Sequence, residues 1–305
     1  MIVKRLLFVL LLAVTPGVGR ADPLSLLIRG HQVSQPVFSL FAAPGEEIRV
    51  GVPGLDARSV DLQSVEGVSV LPGADYWLIQ APRKPGLYTM SLSSDPAQQT
   101  TLNLFVGHPA SHADDGVLND YLIGPQPPGH ATLPDFYTPP ELYFEVTPDI
   151  IDTPLSANFT LRQFLCKQDS SYPKYLVIRE SLLVLLEGLL QSVRNAGYPV
   201  DTFGVISGYR TPHYNKMIGN VPNSRHVYGD AMDLYVDQDG DGNMDDLNGD
   251  GERNRKDVDL LYEIVQEFKQ NSANVLLAGG VGRYYRASHH GGFVHVDARG
   301  FRARW

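Results

Sequence analysis

Two histidines and an aspartate in the last third of the chain stand in strand-like contexts. They lie in Ser224-Arg225-His226-Val227-Tyr228-Gly229-Asp230-Ala231-Met232-Asp233 and in Phe293-Val294-His295-Val296-Asp297. On a strand running from Ala231 to Val236, Met232, Leu234 and Val236 share the core face and Asp233 takes the other, because successive side chains alternate. On the second strand Val294 and Val296 point inward and His295 outward. If the two strands are neighbours, and a turn at Gly229 folds His226 back over them, two imidazoles and one carboxylate converge. Three such ligands with an open fourth position suit a catalytic zinc ion, whereas structural sites are closed. A metal held this way can activate water at neutral pH and polarise a carbonyl. Taken singly, each histidine has the commoner explanation of an ordinary hydrogen-bonded residue; only convergence makes a site.

A second kind of oxygen-rich pattern follows directly. In Asp237-Gln238-Asp239-Gly240-Asp241-Gly242-Asn243 the side-chain oxygens recur at alternate positions, and Asp246, Asn248 and Asp250 with Gly251 repeat the spacing. Asp237, Asp239, Asp241 and Gly242 match positions 1, 3, 5 and 6 of a calcium loop, with Asn243 as a further oxygen donor; Asp257 falls at position 12 of the repeat. Both loops lack the bidentate Glu usual at that position, and Asn248 stands there in the first. Weak Ca2+ sites are expected. Crowded acids, offset only by Arg253, Arg255 and Lys256, would otherwise hold the loop open. The alternative is a solvated acidic insertion spanning 237–257.

These residues need a frame. Leu176, Ile178, Leu182, Leu183, Leu185, Leu186, Leu189, Leu190 and Val193 recur at helical spacing, which predicts a core helix over 175–196 ended by Gly197. A second helix is predicted over 257–270. Strands are predicted over 203–207, 231–236, 274–277 and 293–296, so residues 155–305 read as an α+β domain. Upstream, 22–107 is a run of short alternating segments such as Glu47–Val52 and Thr101–Val106, cut by Pro44-Gly45, Pro53-Gly54, Pro72-Gly73 and Pro85-Gly86. That pattern predicts an all-β, immunoglobulin-like sandwich. Between them, 108–154 is rich in Pro and Gly and reads as a connector with a few extended stretches.

Composition bounds the possibilities. The chain has 305 residues, 43% of them apolar, and carries 25 basic against 34 acidic residues for a net charge of −9. Enough core is available for two domains, and the charge excludes a surface built for nucleic acid. Lys4 and Arg5 precede the apolar run Leu6–Val14, followed by Thr15-Pro16-Gly17 and Gly19-Arg20-Ala21. This predicts a signal peptide over 1–21, a periplasmic or extracellular product and no membrane span after cleavage. The single cysteine, Cys166, has apolar neighbours and reads as a buried structural thiol.

The blocks Ser207-Gly208-Tyr209-Arg210-Thr211-Pro212, Ser224-x-His226-x-x-Gly229-x-Ala231-x-Asp233 and Phe293-Val294-His295-Val296-Asp297 resemble, in order, those of peptidase family M15. That family comprises zinc D-alanyl-D-alanine carboxypeptidases and murein endopeptidases. The resemblance covers about 155–305 and implies a compact α+β fold whose central antiparallel sheet carries the ligands. It implies His226, Asp233 and His295 as zinc ligands. Arg210 would hold a substrate carboxylate or oxyanion, and Ser224 would help bind substrate. The Glu that some members place three residues before the last ligand is absent, since Gly292 stands there. The general base then falls to Asp297 or His290, with Asp297 favoured and His290 as a charge-stabilising partner; Asp297 could instead orient a ligand. The resulting expectation is an exported zinc peptidase acting on peptidoglycan peptides. The competing expectation is a non-catalytic wall-binding protein that keeps the fold, with the N-terminal domain as a protein- or wall-docking module.

Overall fold

The computed structural model describes residues 22–95, 98–271 and 277–305. The expected signal peptide and residues 274–276 of the strand expected at 274–277 lie outside the described residues. Among the described residues no helix is long and apolar enough to cross a membrane.

The N-terminal part is built of two sheets. Strands β1 (Ser25–Ile28), β2 (His31–Ser34), β4 (Glu47–Gly51), β6 (Ser69–Pro72) and β7 (Tyr76–Gln80) form one, in the order β2-β1-β4-β7-β6. Strands β3 (Val37–Ala42), β5 (Asp61–Gln63), β8 (Gly86–Asp95) and β9 (Gln98–Val106) form the other, in the order β3-β9-β8-β5, with β3 parallel to β9. Val50, Trp77 and Ile79 of the first and Leu40, Met90 and Leu102 of the second are buried in one cluster, so alternation placed their inner faces correctly.

The segment expected as a connector is built into the core. It supplies β10 (His108–Pro109), β11 (Val117–Leu118), β12 (Tyr121–Leu122) and β13 (Leu142–Val146). Strand β13 pairs with β10 and with β14 (Lys174–Leu176). Tyr121, Ile123, Tyr143, Phe144 and Val146 are buried with both flanking parts in a single cluster. Proline and glycine punctuate the chain here without releasing it to solvent.

The C-terminal part packs helices on a five-stranded sheet. Helix α1 (Glu180–Asn195) starts later than periodicity suggested, because Lys174–Leu176 is taken up as a strand edge by β13. Helix α2 (Pro212–Met217) begins at a proline whose preceding Thr211 side chain accepts from Tyr214 N, a capped start too short to show periodicity. Helix α3 (Arg255–Gln270) is capped by Asn254. The sheet runs β15 (Gly204–Ser207), β16 (Ala231–Tyr235), β18 (Phe293–Asp297), β17 (Gly280–Tyr284), β19 (Ala303–Arg304); all pairs are antiparallel except β17 with β19. The last two strands had no counterpart in the sequence reading. Helix α3 packs on β17, β18 and α1, so Met232, Leu234, Val294 and Val296 are fully buried. The intervening residues of β16 and β18 point to the opposite face.

Candidate metal centre

Register brings the site together. Across four adjacent strands Ser207 pairs with Asp233, Asp233 with His295, and His295 with Gly282, making one row across the sheet. His226 reaches that row from a 3-10 turn, Arg225–Tyr228, which ends at Gly229 in the left-handed region at φ 72°. A Cβ there would come within 2.5 Å of the Val177 backbone, and Gly229 O accepts from Arg179 N. Only glycine closes this turn against the start of α1.

The donor atoms form a near-equilateral triangle. Asp233 Oδ1 lies 2.8 Å from His295 Nδ1 and 3.1 Å from His226 Nε2, and the two nitrogens are 3.2 Å apart. Four-coordinate zinc with bonds near 2.0–2.1 Å separates its donors by roughly 3.3 Å, so the triangle needs to spread by only a few tenths of an ångström. The outer nitrogens are held from behind. His226 Nδ1 lies 2.7 Å from Gly208 O, an obligate acceptor, and His295 Nε2 lies 3.1 Å from Asp297 Oδ2. The His226 ring therefore spends its proton on Gly208 O and turns a bare nitrogen to the centre, while His295 lies between two carboxylates. Two lone pairs and a carboxylate oxygen facing one another at such distances repel unless a cation or a proton sits among them.

Charge distribution agrees. All three residues are nearly fully buried. Burial lowers the pKa of His226 despite the nearby Asp233 carboxylate, which favours the neutral, ligating form. For His295 burial works in the same sense, but hydrogen bonds to Asp233 and Asp297 outweigh it and raise the value. Burial alone would raise the pKa of Asp233; the two imidazoles hold it well below the carboxylate range.

The remaining candidates divide. Arg210 donates through Nε to Ser207 Oγ (2.8 Å) and through Nη2 to Asp233 Oδ2 (2.5 Å), bracing the carboxylate whose other oxygen faces the centre. Ser224 stands at the start of the 3-10 turn and, with Arg210 and the triad, lines a cleft of about 700 Å³. Asp297, favoured as the base, is corrected: it is fully buried behind His295 and outside the cleft wall. Its oxygens accept from His295 Nε2, Gly280 N and Arg299, which makes it the residue that orients His295. Burial would raise its pKa, but His295 and Arg299 pull it far down. His290 is half-buried in the turn 287–290, its Nδ1 2.7 Å from Gly291 O and its ring against Phe293; it flanks the cleft through Phe293 and does not line it.

Sequence reasoning missed several participants. Arg299, Tyr284 and Trp305 line the cleft, as do Pro128, His130 and Tyr137 from the expected connector. That wall is pinned by Asn223 Nδ2 to Gly129 O (2.6 Å) and Arg225 Nη1 to Phe136 O (2.6 Å). The Arg225 guanidinium lies over Tyr137 and Tyr228 and is paired with buried Asp230. The carbonyl of Gly208 carries no side-chain signal at all.

In the acidic segment, carboxylate oxygens of Asp237, Asp239 and Asp245 lie within 4.8 Å of one another; Asp245 was not among the expected ligands. The two turns share a pattern. Asp241 N and Gly242 N donate to Asp237, and Asp250 N and Gly251 N donate to Asp246. Asn243 and Asn248 are tied into these turns, Asn243 through Asp241 Oδ1 and Asn248 by accepting from Asp250 N. Arg253 bridges Asp239 and Asp241. Asp257, expected at the twelfth position of the repeat, instead caps α3: buried, it accepts from Asn254 N, Leu247 N and Asn248 N. Cys166 is free and buried, and burial pushes its thiol up.

A His-Asp-His centre with an accessible side, on the open face of an α+β sheet, is the arrangement of a metallopeptidase. Residues 157–248 match the family model described as Peptidase M15, a family of zinc-dependent peptidases, and this part of the chain is similar to it. The match includes Arg210, Ser224, His226 and Asp233 and stops before His295. No curated protein and no solved structure gives a significant match.

Proposed function

We propose that the chain is an exported zinc peptidase that hydrolyses peptidoglycan stem peptides or their crosslinks. The observation carrying this reading is the convergence of His226 Nε2, Asp233 Oδ1 and His295 Nδ1, all lone-pair donors, at the wall of an open cleft. His226, Asp233 and His295 would hold zinc, which supplies Lewis acidity and a nucleophile at neutral pH. With an ion bound, Gly208 O and Asp297 would hold the two imidazoles in the ligating tautomer. Arg210 pairs with Asp233 and holds it in place, and presents positive charge at the cleft wall, where an oxyanion would develop. With Asp297 used up behind His295, His290 is the remaining candidate to carry the proton; it stands beside Phe293 at the edge of the cleft, with Nδ1 2.7 Å from Gly291 O. Ser224 supplies a hydroxyl for substrate.

The substrate class comes from the family resemblance. Digestion of purified muropeptides followed by mass spectrometry tests it: zinc-loaded protein should release D-alanine or split crosslinked dimers, and chelator or His226→Ala should abolish this. Zinc retention with no cleavage of any muropeptide would favour the non-catalytic wall-binding protein instead.

Two ancillary readings accompany this one. The acidic loops would bind Ca2+ through Asp237, Asp239 and Asp245, with Arg253 as the cation's competitor; millimolar calcium should raise the melting temperature, and Asp237→Ala should remove the increase. The two-sheet N-terminal part would be an immunoglobulin-like docking module for wall or protein, and residues 1–21 the export signal.

A further inference from the structure

The row Ser207, Asp233, His295, Gly282 ends in a bare position, and over it lies an indole. A Cβ on Gly282 would collide with Trp305 Nε1, and one on Gly280 would come within 2.9 Å of Trp305 Cη2. Glycine at 282 clears the seat for the ring, and glycine at 280 leaves room both for Asp297 Oδ2, its nearest neighbour, and for the ring's far edge. Backbone pairing fixes Trp305 along the strand, its N donating to Val281 O (3.3 Å) and its O accepting from Arg283 N (3.2 Å). The indole Nε1 donates to Tyr284 Oη at 2.6 Å, and Tyr284 is itself stacked on Phe293 with ring centroids 4.7 Å apart. Arg299 stands 5.3 Å from the ring, and the His295 ring is 5.2 Å away.

This much fixation serves a side chain that remains 46% exposed and lines the cleft. The polar edge of the indole is satisfied, so what it shows the cleft is an apolar plane next to a metal ligand. We propose that Trp305 is a substrate-positioning residue, whose seated indole packs against the aliphatic stem of a residue within one position of the scissile bond. The inference rests on the peptidase reading. In a stem peptide that stem is the methylene chain of a lysine or diaminopimelate side chain.

The test uses zinc-loaded full chain and two probes, diacetyl-L-lysyl-D-alanyl-D-alanine and its acetylglycyl analogue. The chain has two tryptophans, and the other, Trp77, is buried at 2% exposure, so a ligand-dependent change in emission reports Trp305. The lysyl peptide should shift the emission to the blue in the parent protein and not in Trp305→Phe. Trp305→Ala should raise KM for the lysyl peptide about tenfold, the equivalent of roughly two methylenes left unpacked. Its kcat, its zinc content and its KM for the glycyl peptide should stay unchanged, and Trp305→Phe should restore most of the loss. An unchanged emission, equal effects on both peptides, or loss of zinc in Trp305→Ala would each overturn the seat. An emission shift with neither peptide nor a crosslinked muropeptide dimer cleaved by the parent protein would keep the seat and count against the peptidase reading.

Discussion

His295 is held by two carboxylates with different tasks. Asp233 faces its Nδ1 at the centre, while Asp297 meets Nε2 from behind and is in turn clamped by Arg299. Asp297→Asn should therefore weaken zinc binding about 10- to 100-fold, read by competition with a chelating dye, since removing an orienting partner releases the ring. His290→Ala should leave zinc affinity intact and lower kcat by about a hundredfold or more, the usual scale for losing a proton carrier. A base at Asp297 would give the opposite pattern, with zinc retained in Asp297→Asn. The ligands themselves were legible because strand alternation separates His295 and Asp233 from their apolar neighbours. The task of Asp297 was legible only as one of two alternatives, because it depends on Arg299 closing the far side, and two residues of sequence separation do not show which way either side chain turns. Gly208, which sets the tautomer of His226 through a carbonyl, left nothing to read.

Elements were legible in proportion to their periodicity. Strands β16 and β18 stood out by alternation, and α1 and α3 by helical spacing. Strand β17 was hidden by Gly279, Gly280 and Gly282, which read as turn residues although two of them are bare so that an indole can lie on the strand. The cleft wall from 128–137 was hidden in the same way, since what fixes it is Arg225, far along the chain. Arg225 and Asp230 are paired at 2% and 1% side-chain exposure, and Arg225→Met would leave Asp230 charged and buried. A loss of about 3–5 kcal/mol in chemical denaturation is expected, as for other buried pairs broken on one side. Helix α3 carries its own test. Lys269 is buried and donates to Leu277 O and Asp297 O; burial lowers its pKa from 10.5 to about 8. Between those values the unfolded chain binds the proton more strongly than the folded one, so this lysine's contribution makes stability rise with pH across that window. The difference in unfolding free energy between the parent and Lys269→Met, measured from pH 8 to 10.5, should shift steadily in favour of the parent.

At the scale of the molecule, the N-terminal sheets and the peptidase part are joined by more than a tether. Glu180, at the start of α1, accepts from Phe41 N (3.1 Å) and from Arg29 Nη1 (2.5 Å) in β3 and after β1. Burial raises the pKa of Glu180 against the pull of Arg29. Phe41 meets Phe105 and Phe144 with ring centroids 5.5 and 5.1 Å apart, so aromatic packing crosses the junction. A shortened chain of residues 108–305 would expose Phe144. It should melt at a lower temperature than the full chain and bind more of a hydrophobic dye; calorimetry of the full chain should show one transition for both parts. Composition had allowed two separate cores; one continuous core resulted because the proline-rich stretch brings Tyr143, Phe144 and Val146 into it.

Asp233 and His295 face each other directly on paired strands while standing 62 positions apart in the chain. The distance between them is thus set by the ladder and not by the length of what intervenes. The acidic turns between them could be shortened, lengthened or exchanged without retuning the triangle, provided the two strands meet in phase. A single-residue slip within β18 would do what no surface insertion could: turn the imidazole to the opposite face and bring a valine to the centre.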